Sequence, residues 1–274
     1  MFNWFKKKND HKNSEVVLAD DPSEPKLNLI FHFHCVQHEK ICYAINKIKE
    51  HISLFNGYKI FTLSCPDNKF LNNQIFNQII KDFSSHGVYF IPVDNDKKNR
   101  ETLHFFDKAC PLLAHLLKIN NANNSYTFYG HSKGCTHTEK DYAITAWVNT
   151  LYKYNLDLFY DIIKPALKTN QYKFIGCLKT TTGCALGAKF HYAGTFFWFN
   201  SNIIYDPIFL TSGRDHFLGL EMWPNMVAAD DECHSVFDLT IDNPYKYDFW
   251  YNLVYNRVID KPSTTPCKKV INKL

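Results

Sequence analysis

The chain has 274 residues, a formal net charge of +4, 45% hydrophobic and 21% charged residues. That length holds one large domain, or two small ones, with a substantial core, and the balance excludes the disordered and fibrous classes. The mild positive charge admits an anionic substrate without requiring nucleic acid: Lys and Arg are dispersed, apart from Lys6-Lys7-Lys8 and Lys268-Lys269.

Residues 1–25 are polar, carry Pro22 and Pro25, and read as a flexible N-terminal segment. Its start lacks the apolar region of a signal peptide. Phe2, Trp4 and Phe5 ahead of the three lysines offer only weak contact with a membrane surface. From Lys26 the pattern alternates. Leu27–Phe33 is a strand, Gln37–Phe55 a helix with Ile41, Ile45, Ile48 and Ile52 at helical spacing, and Tyr58–Leu63 a second strand. Phe70–Phe83 follows as a helix, Val88–Val93 as a strand, Thr102–Ile119 as a helix and Ser125–Tyr129 as a fourth strand. This order predicts an α/β, Rossmann-like, mostly parallel sheet with helices on both faces. Ligands of such sheets bind beyond the carboxyl ends of the strands. That points to His34 and Cys35, to Asp67, to Asp94-Asn95-Asp96 (read as a turn) and to His131–Gly134.

The second half is less regular. Helices are expected over Ala143–Tyr154 and Leu156–Lys168, strands over Tyr172–Leu178 and Phe190–Asn200, loop and helix over Arg214–Val227, and a last helix over Tyr247–Val258. The predicted organisation is one domain over 26–260 and a C-terminal tail over 261–274. Nine cysteines, with no Cys-x-x-Cys pair and an odd total, imply reduced thiols and a cytoplasmic setting. No apolar run has the length of a transmembrane segment. The richness in Phe, Tyr, Asn, Lys and Ile fits an A/T-rich viral or bacterial genome.

Gly130-His131-Ser132-Lys133-Gly134 has the letters of a nucleophile elbow. A serine hydrolase would take Asp206 or Asp215 and His216 or His234 as partners of Ser132. The polar continuation Cys-Thr-His-Thr-Glu-Lys-Asp argues against the helix that an elbow needs, and no His-Gly-Gly oxyanion segment lies upstream.

Tyr129-Gly-His-Ser-Lys-Gly134 also resembles the Leu-His-Thr-Lys-Gly segment of bacterial and viral glycosyltransferase-like proteins related to rhamnan-synthesis and polysaccharide transferases of GT-A type. The resemblance continues in a helix with Trp147, in His191-Tyr-Ala-Gly194-Thr195-Phe-Phe-Trp198, and in Arg214 followed by Glu221-Met-Trp223. Order and rough spacing agree from about residue 28 to 235, with the motifs in 129–224.

The resemblance implies a GT-A-like domain that moves a sugar from a nucleotide-diphosphate sugar to an acceptor hydroxyl. The acceptor would be a polysaccharide, a lipid-linked glycan or a modified phage DNA base. Lys133 would carry the charge of the leaving diphosphate, and His131 would donate to phosphate or sugar. Glu221 would be the general base, suited to it by the apolar Trp223 nearby. His34, Cys35, Asp67, Ser132, Gly134, His191, Gly194, Thr195, Trp198, Arg214 and Trp223 would line the substrate site. His191 and Trp198, seven apart, point to opposite strand faces unless a bulge intervenes. GT-A enzymes usually hold Mn or Mg with Asp-x-Asp at the end of the central strand. His131-Ser132-Lys133 stands there instead, so His131 and His234 are the candidate metal ligands and metal dependence is open. A third reading keeps the same fold as a nucleotide-sugar binder without turnover.

Overall fold

The computed structural model describes residues 24–66, 69–95, 104–120, 124–134, 142–181, 183–184, 186–206, 208 and 219–239. The N-terminal segment before Glu24, the helix expected over 247–258 and the C-terminal tail lie outside them.

Four parallel strands form the first half of the sheet: β1 (Lys26–His34), β2 (Lys59–Ser64), β3 (Val88–Val93) and β4 (Ser125–His131). They stand in the order β3-β2-β1-β4. The chain therefore builds outward from β1 on one side and then returns to place β4 on the other. Such a switch point opens a crevice at the carboxyl ends of the two strands flanking it. Between them run α1 (Glu39–His51), α2 (Gln74–Phe83) and α3 (Cys110–Ile119), the last entered through a π-helical turn at Phe105–Ala109. The His38 and Asn73 side chains cap α1 and α2. Asn73 also donates to the Cys35 carbonyl at 2.8 Å, tying the start of α2 to the loop after β1.

Beyond β4 the helical stretch α4 (Tyr142–Tyr152), two π-helical turns and α5 (Lys164–Lys168) leads to β5 (Phe174–Thr180). The strand expected over Phe190–Asn200 is interrupted. Its ends are β6 (His191–Tyr192) and β7 (Phe197–Asn200), both antiparallel to β5. Between the pairs Lys179–Tyr192 and Gly176–Phe197 the β6–β7 segment spends two more residues than β5 does, so the chain bulges at Gly194-Thr195. β7 also pairs with β4, making it the antiparallel strand inside a mostly parallel sheet. α6 (Gly219–Val227) and β8 (Cys233–Leu239), parallel to β5, complete the described chain. β8 has no counterpart among the predicted elements.

Helices cover both faces. α1, α2, α4 and α5 pack on one side with Leu29, Phe31, Phe33, Phe61, Leu63 and Phe128 of the strands. α3 and α6 pack on the other with Ile30, Ile60 and Tyr129. The alternation of β1, Lys-Leu-Asn-Leu-Ile-Phe-His-Phe-His, explains the division. Leu29, Phe31 and Phe33 face the first core, so Asn28, Ile30, His32 and His34 share the opposite face. Asn28 is fully buried and spends its amide on Thr127 Oγ1 and Ser201 Oγ.

Candidate functional site

The end of β4, the bulge between β6 and β7, and the first turn of α6 meet at one place. Gly194 is the pivot. Its carbonyl accepts from His131 Nε2 at 3.1 Å, and its N–H donates to Glu221 Oε1 at 3.2 Å. Since a carbonyl only accepts, His131 carries its proton on Nε2. The Thr195 hydroxyl donates to the same Glu221 oxygen at 3.2 Å, and Lys133 Nζ lies 3.9 Å from it. The Gly194, Thr195 and Lys133 contacts converge on Oε1, and Oε2 takes no hydrogen bond from the described residues. Lys133 also sits over the Trp147 ring, 4.6 Å from its centroid, a cation–π contact that fixes where the ammonium points.

The backbone at this pivot is unusual. Gly194 has φ +91°, and a Cβ there would lie 2.7 Å from Leu151 Cδ1 and 3.1 Å from Trp147 Nε1. Thr195 follows with φ +58°, left-handed for a β-branched residue. Such strain costs on the order of 1–3 kcal/mol and persists only where its surroundings enforce it. Here it aims an N–H and a hydroxyl at one carboxylate oxygen. Gly134, with φ +79°, closes the turn after β4; a Cβ there would meet Ile144 Cγ2 at 2.7 Å and Lys40 Cδ at 3.3 Å. Lys40, only 5% exposed, thus runs its aliphatic chain beside this turn from the start of α1.

His191 is buried close by, its Nδ1 3.6 Å from Cys184 Sγ. Burial pushes its pKa below the ordinary histidine value, and the Glu221 charge opposes that shift. His191 is therefore a neutral ring at neutral pH. At the end of β1, His34 Nδ1 meets Ser64 Oγ at 3.0 Å, and its backbone N–H donates to Ser132 Oγ at 2.9 Å.

The structure thus brings together Lys133, Glu221, His131, Gly134, Gly194, Thr195 and His191, with His34 and Ser132 alongside. It places others elsewhere. Trp198 is fully buried among Phe55, Phe128 and Phe159, and its Nε1 donates to the Asn155 carbonyl; it is core and cannot stack on a sugar. Trp223 is equally buried, against Phe105, Phe106, Phe174 and Phe199. It does not form the apolar wall expected beside Glu221, because residues two apart on a helix point to different sides. Cys35 is fully buried, its thiol directed at the Phe33 carbonyl. Asp67 and Arg214 lie outside the described residues, as do Asp96, Asp215 and His216.

The donor set does not suit a hard divalent cation, which wants several oxygen ligands. Among the described residues this site offers one carboxylate, with an ammonium beside it. His131 uses Nε2 as a donor, and His234 stands on β8 with its ring stacked on Tyr172 at 4.9 Å. The metal-capable group of three among the described residues is Glu50, His51 and Asp157. It lies at the far end of α1, where Lys47 already pairs with both carboxylates.

Nor does the turn after β4 suit a nucleophile elbow. An elbow runs from its serine directly into a right-handed helix, whereas Gly134 is left-handed. Ser132 is 3% exposed, and its hydroxyl oxygen receives the His34 N–H. Trp147 and Lys40 were not singled out as site residues from sequence. The signal for Lys40 was a lysine in the first turn of the helix that follows the central strand.

No protein-family model matches the sequence, and no curated protein matches it. Among the described residues, no helix is long and apolar enough to cross a membrane.

Proposed function

We propose that this chain is a glycosyltransferase with a GT-A-like domain, moving a sugar from a nucleotide-diphosphate sugar to an acceptor hydroxyl. The observation that carries the reading is the convergence of Lys133 and Glu221 on a glycine bulge at the carboxyl end of the central strands. Motifs separated in sequence, on β4, β6–β7 and α6, supply one compact set of groups. That set has the parts the reaction needs: a cation for the leaving diphosphate, a carboxylate for the acceptor proton, and close backbone approach at glycines.

In this mechanism Gly194 N–H and the Thr195 hydroxyl hold Glu221 through Oε1, leaving Oε2 to take the acceptor proton. The acceptor oxygen then attacks the anomeric carbon, and the diphosphate leaves with the bonding electrons. Lys133, steered by Trp147, stabilises the growing phosphate charge. His131 orients the bulge by holding the Gly194 carbonyl. No step passes through a metal ion. The acceptor is a hydroxyl on a glycan, a lipid-linked glycan or a modified DNA base.

A thermal-shift screen against nucleoside diphosphates and their sugars, with and without Mn²⁺, tests the reading. Stabilisation by one nucleotide in the absence of Mn²⁺ is expected. No shift with any of them would overturn it. Binding without sugar transfer or hydrolysis would favour a non-catalytic binder. For a DNA acceptor, affinity must fall steeply with salt.

A further inference from the structure

A thiol and an imidazole that the mechanism above does not use stand together at the edge of the site. Among the described cysteines, Cys35, Cys65, Cys110, Cys177 and Cys233 are buried and Cys42 is exposed. Cys184 is half-buried, on the loop between β5 and β6, and its Sγ lies 3.6 Å from His191 Nδ1. His191 opens β6, just ahead of the Gly194 pivot. Its ring is 7% exposed, so its position is fixed by packing. Gly183 and Gly187 flank the thiol in sequence, both with positive φ, and a Cβ at either would meet nothing within 4 Å. The loop that carries Cys184 is therefore open to a small reagent.

The Cys184 thiol has one proton and three acceptors within reach. They are His191 Nδ1, the Thr181 carbonyl at 3.4 Å and the Thr180 carbonyl at 3.9 Å. The carbonyls can hold the S–H but cannot take its proton. His191 can, because its ring is neutral at neutral pH. Transfer leaves a thiolate, the nucleophilic form of cysteine, beside an imidazolium. The negative charge of Glu221 favours the proton on His191. The charged groups on the elements around the ring are Glu221 of α6, with Lys133 3.9 Å from its Oε1, and Lys179 of β5, which Asp230 holds at 2.6 Å.

We propose that Cys184 is a covalent modification site for small disulfides, activated by transfer of its proton to His191. This goes beyond the transferase reading and does not depend on it. The S–H proton passes to His191 Nδ1, and Cys184 Sγ attacks one sulfur of the disulfide. A new S–S bond forms as the old one breaks, and the departing thiolate takes the proton back from His191. Cys184 is oxidised, the departing half is reduced to a thiol, and no other oxidant is needed. The product is a mixed disulfide that has lost its S–H and stands against His191. Burial pushes the Cys184 thiol above its ordinary pKa, so direct ionisation contributes little near neutrality. The thiolate–imidazolium pair forms with no net gain or loss of a proton. Its population is therefore constant with pH between the two titrations, unlike the thiolate of an ordinary cysteine.

The test follows adduct formation on the full chain with glutathione disulfide as the probe. Samples are quenched in acid and digested, and mass spectrometry gives separate rates for Cys184 and Cys42. Between about pH 7 and about pH 8 the Cys42 rate should rise by about tenfold, as its thiolate fraction does, while the Cys184 rate changes by less than about threefold. His191→Gln should slow Cys184 at pH 7 by roughly tenfold or more and give it the rising profile, with Cys42 unchanged as the sign of an intact fold. A Cys184 rate in wild-type protein that climbs as steeply as that of Cys42 would overturn the proposal, and this comparison needs no variant. Equal Cys184 rates in wild type and folded His191→Gln would do the same, as would the absence of any adduct at Cys184 where Cys42 forms one. None of these outcomes touches nucleotide binding, so the transferase reading stands or falls on its own measurements.

Discussion

Thr195 and Glu221 are joined by a 3.2 Å hydrogen bond that exists only because Thr195 accepts a left-handed backbone. An extended Thr195 would carry its hydroxyl elsewhere. Strain in the bulge is thus tied to the orientation of the one carboxylate at this site among the described residues.

The first prediction concerns that carboxylate. Glu221→Gln preserves an oxygen for the Gly194 N–H and removes the base. Sugar transfer should fall by roughly 10²–10⁴-fold, while the thermal shift produced by nucleotide stays within error of wild type. Thr195→Val keeps the shape and deletes the hydroxyl. It should cost about 1–3 kcal/mol in denaturant titration, as for a hydrogen bond to a charged group, and lower kcat more than it raises KM. A loss confined to nucleotide affinity would remove Glu221 from the chemistry.

Glycine substitutions test the geometry. Ala at 194 would place its Cβ 2.7 Å from Leu151, and Ala at 134 would place it 2.7 Å from Ile144, both at positive φ. Each should lower the unfolding free energy by about 2–4 kcal/mol, combining left-handed strain with overpacking. Ala at Gly87, which has positive φ and nothing within 4 Å of its Cβ, should cost about 1–2 kcal/mol through strain alone. Chemical denaturation of the three variants ranks them.

Ser132→Ala should leave turnover within a few-fold of wild type and cost about 1 kcal/mol, the worth of the bond from the His34 N–H. Complete loss of activity in a folded protein would restore the hydrolase reading.

Thiol reactivity should follow burial. Burial pushes the Cys177 and Cys233 thiols up to about 12, so both are protonated at neutral pH, while Cys42 is exposed. In native protein, iodoacetamide should label Cys42 faster than Cys177 or Cys233 by roughly 10²-fold or more. Mass spectrometry of digests provides the comparison, and denaturant should abolish the difference.

Asp157 gives a pH-dependent signal unconnected to the site. Its hydrogen bond from His51, and then Lys47, hold its carboxyl below the usual range against an opposing desolvation. A lowered folded-state pKa stabilises the protein above the unfolded value and loses that contribution as pH falls through the folded one. Asp157→Asn should therefore cost less than about 1 kcal/mol at pH 7, because the pair is partly exposed. The gap to wild type should close as pH drops below about 4.

Much of the fold could be read directly. Helical spacing of Ile41, Ile45 and Ile48 and the apolar run of β1 place α1 and the central strand. The motif segments at 131–134, 191–195 and 221 do converge. Aromatic residues were the weak point: Trp198 and Trp223 have the same chemistry in a core as on a sugar platform, and only packing on Phe128 or Phe105 separates the two. Sequence reasoning picked out His34 alone; His32, two residues earlier on the same face of β1, was not singled out. Their partners, Thr62 and Ser64, emerge only from the pairing register with β2. The sequence allowed a bulge between His191 and Trp198, since Gly194 interrupts the β-prone run, but its position follows only from the register with β5. β8 was missed because it follows Asp230-Asp231-Glu232 and starts half-polar.

The antiparallel placement of β7 also governs how the chain is made. β4 is complete well before β7, and the whole helical stretch from α4 to α5, then β5 and β6, must be synthesised in between. At ribosomal rates that is an interval on the order of several seconds. During it the outer edge of β4, Tyr126–Tyr129, has no strand to pair with. A nascent sheet with an unpaired aromatic edge is a template for association with other chains. Slowed elongation between 142 and 197 should therefore raise misassembly more than the same delay after β8.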